Sequence, residues 1–333
     1  MTFAAYLACV LSSRLLPWAK HFHSALSQTM KKTLLAFAAL ATLCGTAAAQ
    51  SNVTLYGEAE AGIGRRYTQD TTGMITNYLG TSRWGVRGTE DLGGGLKANF
   101  NLESGAIDMT SGEVGGNGGF NRQAWVGLGG GFGTVMLGRT TTPQSRIMGT
   151  FDLNGTADGS SALKALKLAA NGSLGGSRQN GMIQYVSPNM GGFSFNVGLA
   201  RKDDTGLSKN WTQVAGAYKN KQLTVGFAVQ SKMGDTANDR NGYALGAKYD
   251  FGSVVVSGLY TQDESRSDGK GFGLGVAVPL GSTTVGVQLA RVTDSSNADK
   301  DGASAWELFA NHKLSKRTAL YAALGGVNDA AHQ

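Results

Sequence analysis

The sequence predicts an all-β chain, folded as an antiparallel barrel that crosses a membrane on its strands. Three observations carry that expectation. From Asn52 onward, segments of about ten residues alternate apolar and polar side chains, the period of a strand with two unlike faces. The breaks between segments are alternately short and long, as turns at one rim and loops at the other would be. Mean hydropathy is mildly negative, and beyond residue 50 nothing approaches the roughly 18 consecutive apolar residues of a membrane helix. A barrel with a wet interior escapes that last test, because every second residue is polar.

The stretch from Ser82 to Ser104 shows the pattern most clearly. Trp84 and Val86 point one way, Arg83 and Arg87 the other. After the glycines at 93–95, Leu96, Ala98, Phe100 and Leu102 alternate with Lys97, Asn99, Asn101 and Glu103. In a soluble sandwich the apolar face would pack on a second sheet. In a barrel it meets lipid, and the charged face lines a lumen.

The rest of the chain favours the barrel. Short breaks fall at Glu90–Gly95, Gly129–Gly133, Pro188–Gly192, Lys219–Gln222, Asp250–Ser253, Leu280–Ser282 and Ser315–Arg317. Long ones begin near Thr68, Ile107, Thr140, Asp203, Met233, Asp263 and Asp294. Segments of about ten residues are longer than the roughly five to six usual in a soluble sandwich. Tyr56, Tyr78, Trp211, Tyr218, Tyr249, Phe251, Tyr260, Trp306 and Tyr321 fall at segment ends, where interfacial girdles are expected.

Segments begin near residues 52, 78, 96, 120, 133, 179, 193, 210, 223, 241, 254, 271, 283, 304 and 318, fifteen in all. An odd count leaves an edge unpaired in lipid, at a cost on the order of several kcal/mol per unsatisfied backbone group. A sixteenth, closing strand is therefore expected to be missing from this sequence.

Ahead of the barrel, Met30 to Ala49 has a basic start, an apolar run and a small-residue A-x-A site, the parts of a secretory signal cleaved after Ala49. Residues 1–29 fit no signal and read as a misassigned upstream extension, leaving 50–333 as the barrel. Both cysteines, Cys9 and Cys44, lie in the leader, and Leu43 argues against lipid anchoring at Cys44. The expected mature chain has no disulfide framework and no thiolate chemistry. Removing Arg14, Lys20, Lys31 and Lys32 leaves 30 − 4 = 26 basic residues against 23 acidic, a net of +3. That is too small to argue for a nucleic-acid partner.

The residues resemble the Gram-negative general porins of β-proteobacteria. The resemblance runs through Val53-Thr-Leu-Tyr-Gly57, Ser82-Arg-Trp-Gly-Val-Arg-Gly88, Glu90-Asp-Leu-Gly-Gly-Gly-Leu-Lys97, Leu102-Glu-Ser-Gly105, Phe120-Asn-Arg-Gln-Ala-Trp-Val-Gly-Leu128, Phe132-Gly-Thr-Val-Met-Leu-Gly-Arg139, Tyr249-Asp-Phe-Gly252 and Leu314-Ser-Lys-Arg-Thr-Ala-Leu-Tyr-Ala-Ala323. It implies a sixteen-stranded barrel in the outer membrane, seated in lipid and lipopolysaccharide, usually a homotrimer. Small hydrophilic solutes and ions would pass by diffusion, without cofactor or metal. The third long loop, about 140–178, would fold into the pore and narrow it. The ending Ala331-His-Gln333 departs from the terminal aromatic of the family and puts closure in question.

By the same resemblance, the arginines of the constriction fall on Arg83, Arg122 and Arg178, with Arg87 a further basic position. Asp152 matches the aspartate of the loop tip that they would face. Arg139 and Arg146 add charge to the approach of the loop, and Lys164 and Lys167 to its second half. A guanidinium is always charged, and a ring of them in a narrow pore with low-dielectric walls concentrates anions. An anion preference is expected.

Without the resemblance, Arg83 and Arg87 could be read as a solvated strand face, and Asp152 as an ordinary loop acid. Arg122 shares the parity of Ala124, Val126 and Leu128, which periodicity turns to lipid; the resemblance turns Arg122 inward and Trp125 outward. Glu58, Glu60, Lys97, Glu103, Lys248 and Glu307 are expected to line the lumen. The glycine runs at 112–119 and 129–133 lack the helix and Lys-Ser/Thr pair of a phosphate loop. His312 and His332, the histidines of the mature chain, have no metal-ligand spacing. An enzyme on a barrel would have to rely on His312 as its base. An adhesion barrel would need long, aromatic-rich loops, and a sugar-specific channel an inward aromatic series. Most loops are short and polar and no inward aromatic series is visible, so a diffusion pore is expected ahead of an enzyme or an adhesion barrel, with a substrate-specific channel for sugars or phosphate left open as a variant.

Overall fold

The computed structural model describes residues 52–65, 71–115, 119–157, 159–168, 174, 176–202, 209–231, 241–263, 269–294 and 301–331. The expected leader lies outside them. The strands are β1 (Asn52–Glu58), β2 (Ala61–Gly64), β3 (Gly73–Thr76), β4 (Arg83–Gly93), β5 (Leu96–Gly105), β6 (Gln123–Gly130), β7 (Gly133–Thr141), β8 (Arg178–Val186) and β9 (Phe193–Ala200). They continue as β10 (Trp211–Lys219), β11 (Leu223–Gln230), β12 (Gly242–Asp250), β13 (Val255–Asp263), β14 (Gly269–Leu280), β15 (Thr283–Asp294), β16 (Ser304–Lys313) and β17 (Ala319–Val327).

Fifteen of them form one antiparallel sheet in chain order, from β1 through β4 to β17, while β2 and β3 pair as a separate hairpin. The segment count thus holds. β1 and β17 are the two edges of the sheet, each with one hydrogen-bonded neighbour among the described residues.

Several boundaries differ from the sequence reading, β6 for instance beginning at Gln123 rather than near 120, and two of the differences have a visible cause. The second barrel strand begins at Arg83 rather than near 78, because the Glu60 carboxylate takes the backbone N–H groups of Tyr78, Leu79 and Gly80 at 2.8–3.1 Å. Those donors are then lost to a strand ladder. The first turn is also tighter than Glu90–Gly95. Asp91 still stands opposite Lys97, and the register slips between Asp91 and Gly93. Gly93, Gly94 and Gly95 have φ of +85°, +60° and +80°, which glycine adopts without strain.

The outer face is apolar. Val126, Leu137, Ile183 and Leu199 line up in register across β6 to β9 and are all exposed. Near the short turns the aromatics pair, Phe193 with Tyr218 at 4.7 Å and Tyr249 with Phe251 at 4.5 Å. Tyr56, Tyr78, Trp211 and Tyr321 do not join such a girdle. Tyr56 donates to Glu103, Trp211 is buried, and Tyr78 meets Tyr321 at 6.0 Å over the loop between β7 and β8.

That loop decides the shape of the interior. It contains α1 (Pro143–Met148), a 3-10 turn (Gly149–Phe151) and α2 (Ala162–Ala165), so it is not structureless. Thr142 caps α1, with Pro143 at the start of the helix, and Ser161 caps α2 through its hydroxyl. α1 packs against β9 to β12, the 3-10 turn against β12 and β13, and α2 against β15 to β17. One short segment can touch strands so far apart only if the sheet curls around it. Met148, Phe151, Leu163 and Leu174 are buried there against Ala215, Ala228, Ala244, Ala290 and Ala305 of the wall. Burial of each large side chain stabilises the docked loop by roughly 1.5–3 kcal/mol. The hydrophobic core of this protein is the loop inside the sheet.

Candidate functional site: a basic cavity beside the inward loop

Irregular backbone inside a barrel needs hydrogen-bond partners from the wall, and the inward polar side chains supply them. Gln144 N donates to Gln213 Oε1 at 2.7 Å and Lys248 Nζ to the Thr150 carbonyl at 2.7 Å. Ser257 Oγ donates to the Phe151 carbonyl at 2.6 Å and Thr261 Oγ1 to that of Leu168 at 2.8 Å. The loop is laced to one side of the lumen. A cavity of about 570 Å³ remains beside it.

Arg83, Arg122, Arg178, Lys164 and Lys313 line this cavity, with Glu58 as its acid among the lining residues. Arg83 Nη2 lies 2.6 Å from Glu58 Oε2, and its Nε 3.9 Å from Glu103 Oε2. Arg122 Nε lies 2.6 Å from Glu103 Oε1, while the Tyr56 hydroxyl donates to Glu103 Oε2 at 2.8 Å. Glu103, nearly buried behind the two guanidiniums, fixes both. Arg178 Nη1 donates to Ser177 Oγ at 3.0 Å, and its Nε has no acceptor among the described residues. Five cations against Glu58 and Glu103 leave 5 − 2 = +3 around the cavity.

The other candidates sit elsewhere. Arg87 lies 5.1 Å over the Tyr56 ring, on the face of Arg83 but outside the cavity lining. Arg139 is at the bulge after Gly138, with Nε donating to the Asn121 carbonyl at 2.6 Å and Nη1 to Asn180 Oδ1. Arg146, on α1, donates to Thr140 Oγ1 at 3.1 Å. Asp152 does not face the arginines. It is 4% exposed, with its carboxylate taken up by Asn154, Ser161 and Gln288.

Arg122 resolves the conflict of parity. It stands in the bend just before β6, so strand alternation does not bind it, and it turns inward while Val126 and Leu128 stay outward and exposed. Trp125, expected outward, shares the inward face with Gln123, to which its Nε1 donates at 3.0 Å. Of the acids expected along the lumen, Glu60 is occupied by backbone and Glu307 is fully buried under the loop.

Two loop cations have shifted acidity. Burial lowers the Lys164 ammonium to about 8; Asp152 opposes the shift, and Arg178 and Arg122 add to it. Burial also lowers the Arg146 guanidinium. Sequence reading missed the lacing residues Gln213, Ser257, Thr261 and Gln288. Their signal was available: each is a polar residue at an inward position of its strand.

A curled antiparallel sheet with an apolar exterior and a polar lumen narrowed by its own loop defines a membrane-spanning β-pore. The chain belongs to the Gram-negative porin family, whose profile matches residues 36–331. It is 38% identical to outer membrane porin protein 32 of Delftia acidovorans over 315 residues, covering 88% of each chain. It is 29% identical to an outer membrane porin protein of Bordetella pertussis, covering 81% of this chain and 79% of that one. Among solved structures, an anion-selective porin from Comamonas acidovorans superposes with a TM-score of 0.68 at 31% identity, over 83% of this chain and 88% of that one. The OmpF of Salmonella typhi shares the fold, with a TM-score of 0.60 at 16% identity, over 81% and 88%. This is an outer-membrane protein.

Proposed function

We propose that the chain forms a water-filled channel through which small hydrophilic solutes and ions diffuse, with preference for anions. One observation carries the preference: Arg83, Arg122, Arg178 and Lys164 converge on one cavity whose acids are Glu58 and the shielded Glu103. Fixed cations in a narrow aqueous passage with low-dielectric walls raise the local anion concentration and repel cations. The Comamonas acidovorans neighbour, described as anion-selective, supports the same reading. The loop between β7 and β8 is the constriction. Transport needs no covalent step, and the protein acts as a channel rather than an enzyme. Phe309 is the aromatic of the cavity lining among the described residues, which suits a non-specific pore better than a sugar slide. Cleavage after Ala49 releases the mature chain, which assembles as a homotrimer in lipid and lipopolysaccharide.

Planar-bilayer recording under a KCl gradient tests the proposal. Stepwise conductance with a reversal potential favouring chloride is expected. Steps favouring potassium would leave the pore and remove the anion preference.

A further inference from the structure

Asp152 turns its back on the cavity, and the wall opposite the arginines explains why. Gln288 on β15 and Glu307 on β16 stand directly opposite one another, and both are fully buried. Gln288 Oε1 accepts from Leu153 N at 2.8 Å. A backbone N–H can only donate, so this contact fixes which way the amide points. Its Nε2 then donates to Asp152 Oδ1 at 2.9 Å and to Glu307 Oε1 at 2.7 Å. Glu307 also accepts from Ala162 N at 2.9 Å and Asn154 Nδ2 at 2.6 Å, and Asp152 from Asn154 N at 2.9 Å and Ser161 Oγ. Two acids from different parts of the chain are thus joined through one amide and satisfied by neutral donors.

We propose that Gln288 and Glu307 are positioning residues for selectivity: they hold the Asp152 carboxylate against the far wall, out of the lumen. Among the described residues Asp152 is the one acid of the constriction loop. In the lumen it would face Arg122, Arg178 and Lys164 and offset part of their charge. Held under the loop, it leaves the basic wall without an acid of the loop opposite among the described residues. The preference for anions then depends on two side chains that no passing ion touches. This inference rests on the anion-preferring channel proposed above.

The clamp works because a buried polar group needs its partners. Gln288→Leu keeps the approximate volume but removes the donor to Asp152 and the acceptor for Leu153 N. Asp152 then recovers its lost hydrogen bond from water in the lumen, and the loop tip follows. The reversal potential of the inserted protein under a KCl gradient reads this directly. In Gln288→Leu the chloride-to-potassium permeability ratio is expected to fall by about threefold or more. Adding Asp152→Asn in the same background should restore the wild-type ratio, because the released group then carries no charge. An unchanged ratio in Gln288→Leu overturns the proposal. So does a reduced ratio that Asp152→Asn fails to restore, since the loss would then come from pore shape. If Gln288→Leu does not insert, Ser161→Ala, which removes another donor to Asp152, carries the same test with the same rescue. A wild-type protein that prefers potassium would sink the anion reading; a further shift toward potassium in Gln288→Leu, reversed by Asp152→Asn, would still show the clamp at work.

Discussion

The Phe151 ring lies directly over Gly246, in space that a side chain on β12 would otherwise fill. Leu163 sits over Gly273 of β14 in the same way. At these two points the loop reaches the wall at a residue that has no side chain. Gly246→Val should therefore displace Phe151 and lift the 3-10 turn from β12. Overpacking of this kind costs about 1–3 kcal/mol. A lowered melting temperature of the inserted protein is the expected outcome, and Phe151→Ala in the same background should recover part of it. A variant that melts like wild type would mean that the loop does not dock here.

The three cavity arginines should not be equal to the other basic residues. Arg178→Ala and Arg122→Ala remove charge from the cavity lining, and each should lower the chloride-to-potassium ratio by about twofold or more. Arg139 is engaged at the bulge with Asn121 and Asn180, so Arg139→Ala should shift the ratio less than either. The reversal potentials of the three variants, measured side by side, give the ranking.

Glu103→Gln acts in the opposite direction. It keeps one acceptor oxygen for Arg122 Nε and turns an amide NH2 toward the Tyr56 hydroxyl, while removing one of the two carboxylates beside the guanidiniums. The net charge around the cavity rises from +3 to +4, and the chloride preference should rise with it. A fall would show that Glu103 matters through the placement of Arg122 rather than through its charge.

Lys164 gives the pore a pH dependence in an accessible range. A lysine lowered to about 8 is charged at pH 6 and mostly neutral by pH 9. Chloride preference should therefore be highest below pH 8 and step down as the pH rises through that value. Lys164→Met should give a lower ratio without the step. A step that survives in Lys164→Met would assign it to another group.

Salt provides an independent check on the electrostatic origin of selectivity. The screening length is about 10 Å at 0.1 M and about 3 Å at 1 M. The chloride preference should shrink over that range, whereas a preference set by pore shape would not.

Alternation alone determined the strands, because a barrel strand meets two different solvents and each residue must suit the one it faces. Leu223, Val225, Phe227 and Val229 against Thr224, Gly226 and Ala228 placed β11 without any knowledge of its neighbours. The glycine runs located the turns for a similarly local reason. Arg83 was legible through its motif and Arg178 through the family resemblance, and both reach the cavity. The inward loop was legible only as a long break, since its two short helices take their order from the wall they pack on rather than from their own propensity. Arg122 was ambiguous because a residue one step outside a strand escapes its alternation, whereas Trp125, inside β6, kept the inward parity that alternation gives it. Asp152 could not have been placed at all from sequence. Its direction depends on Gln288, 136 positions away along the chain, and only the curl of the sheet brings the two within a hydrogen bond.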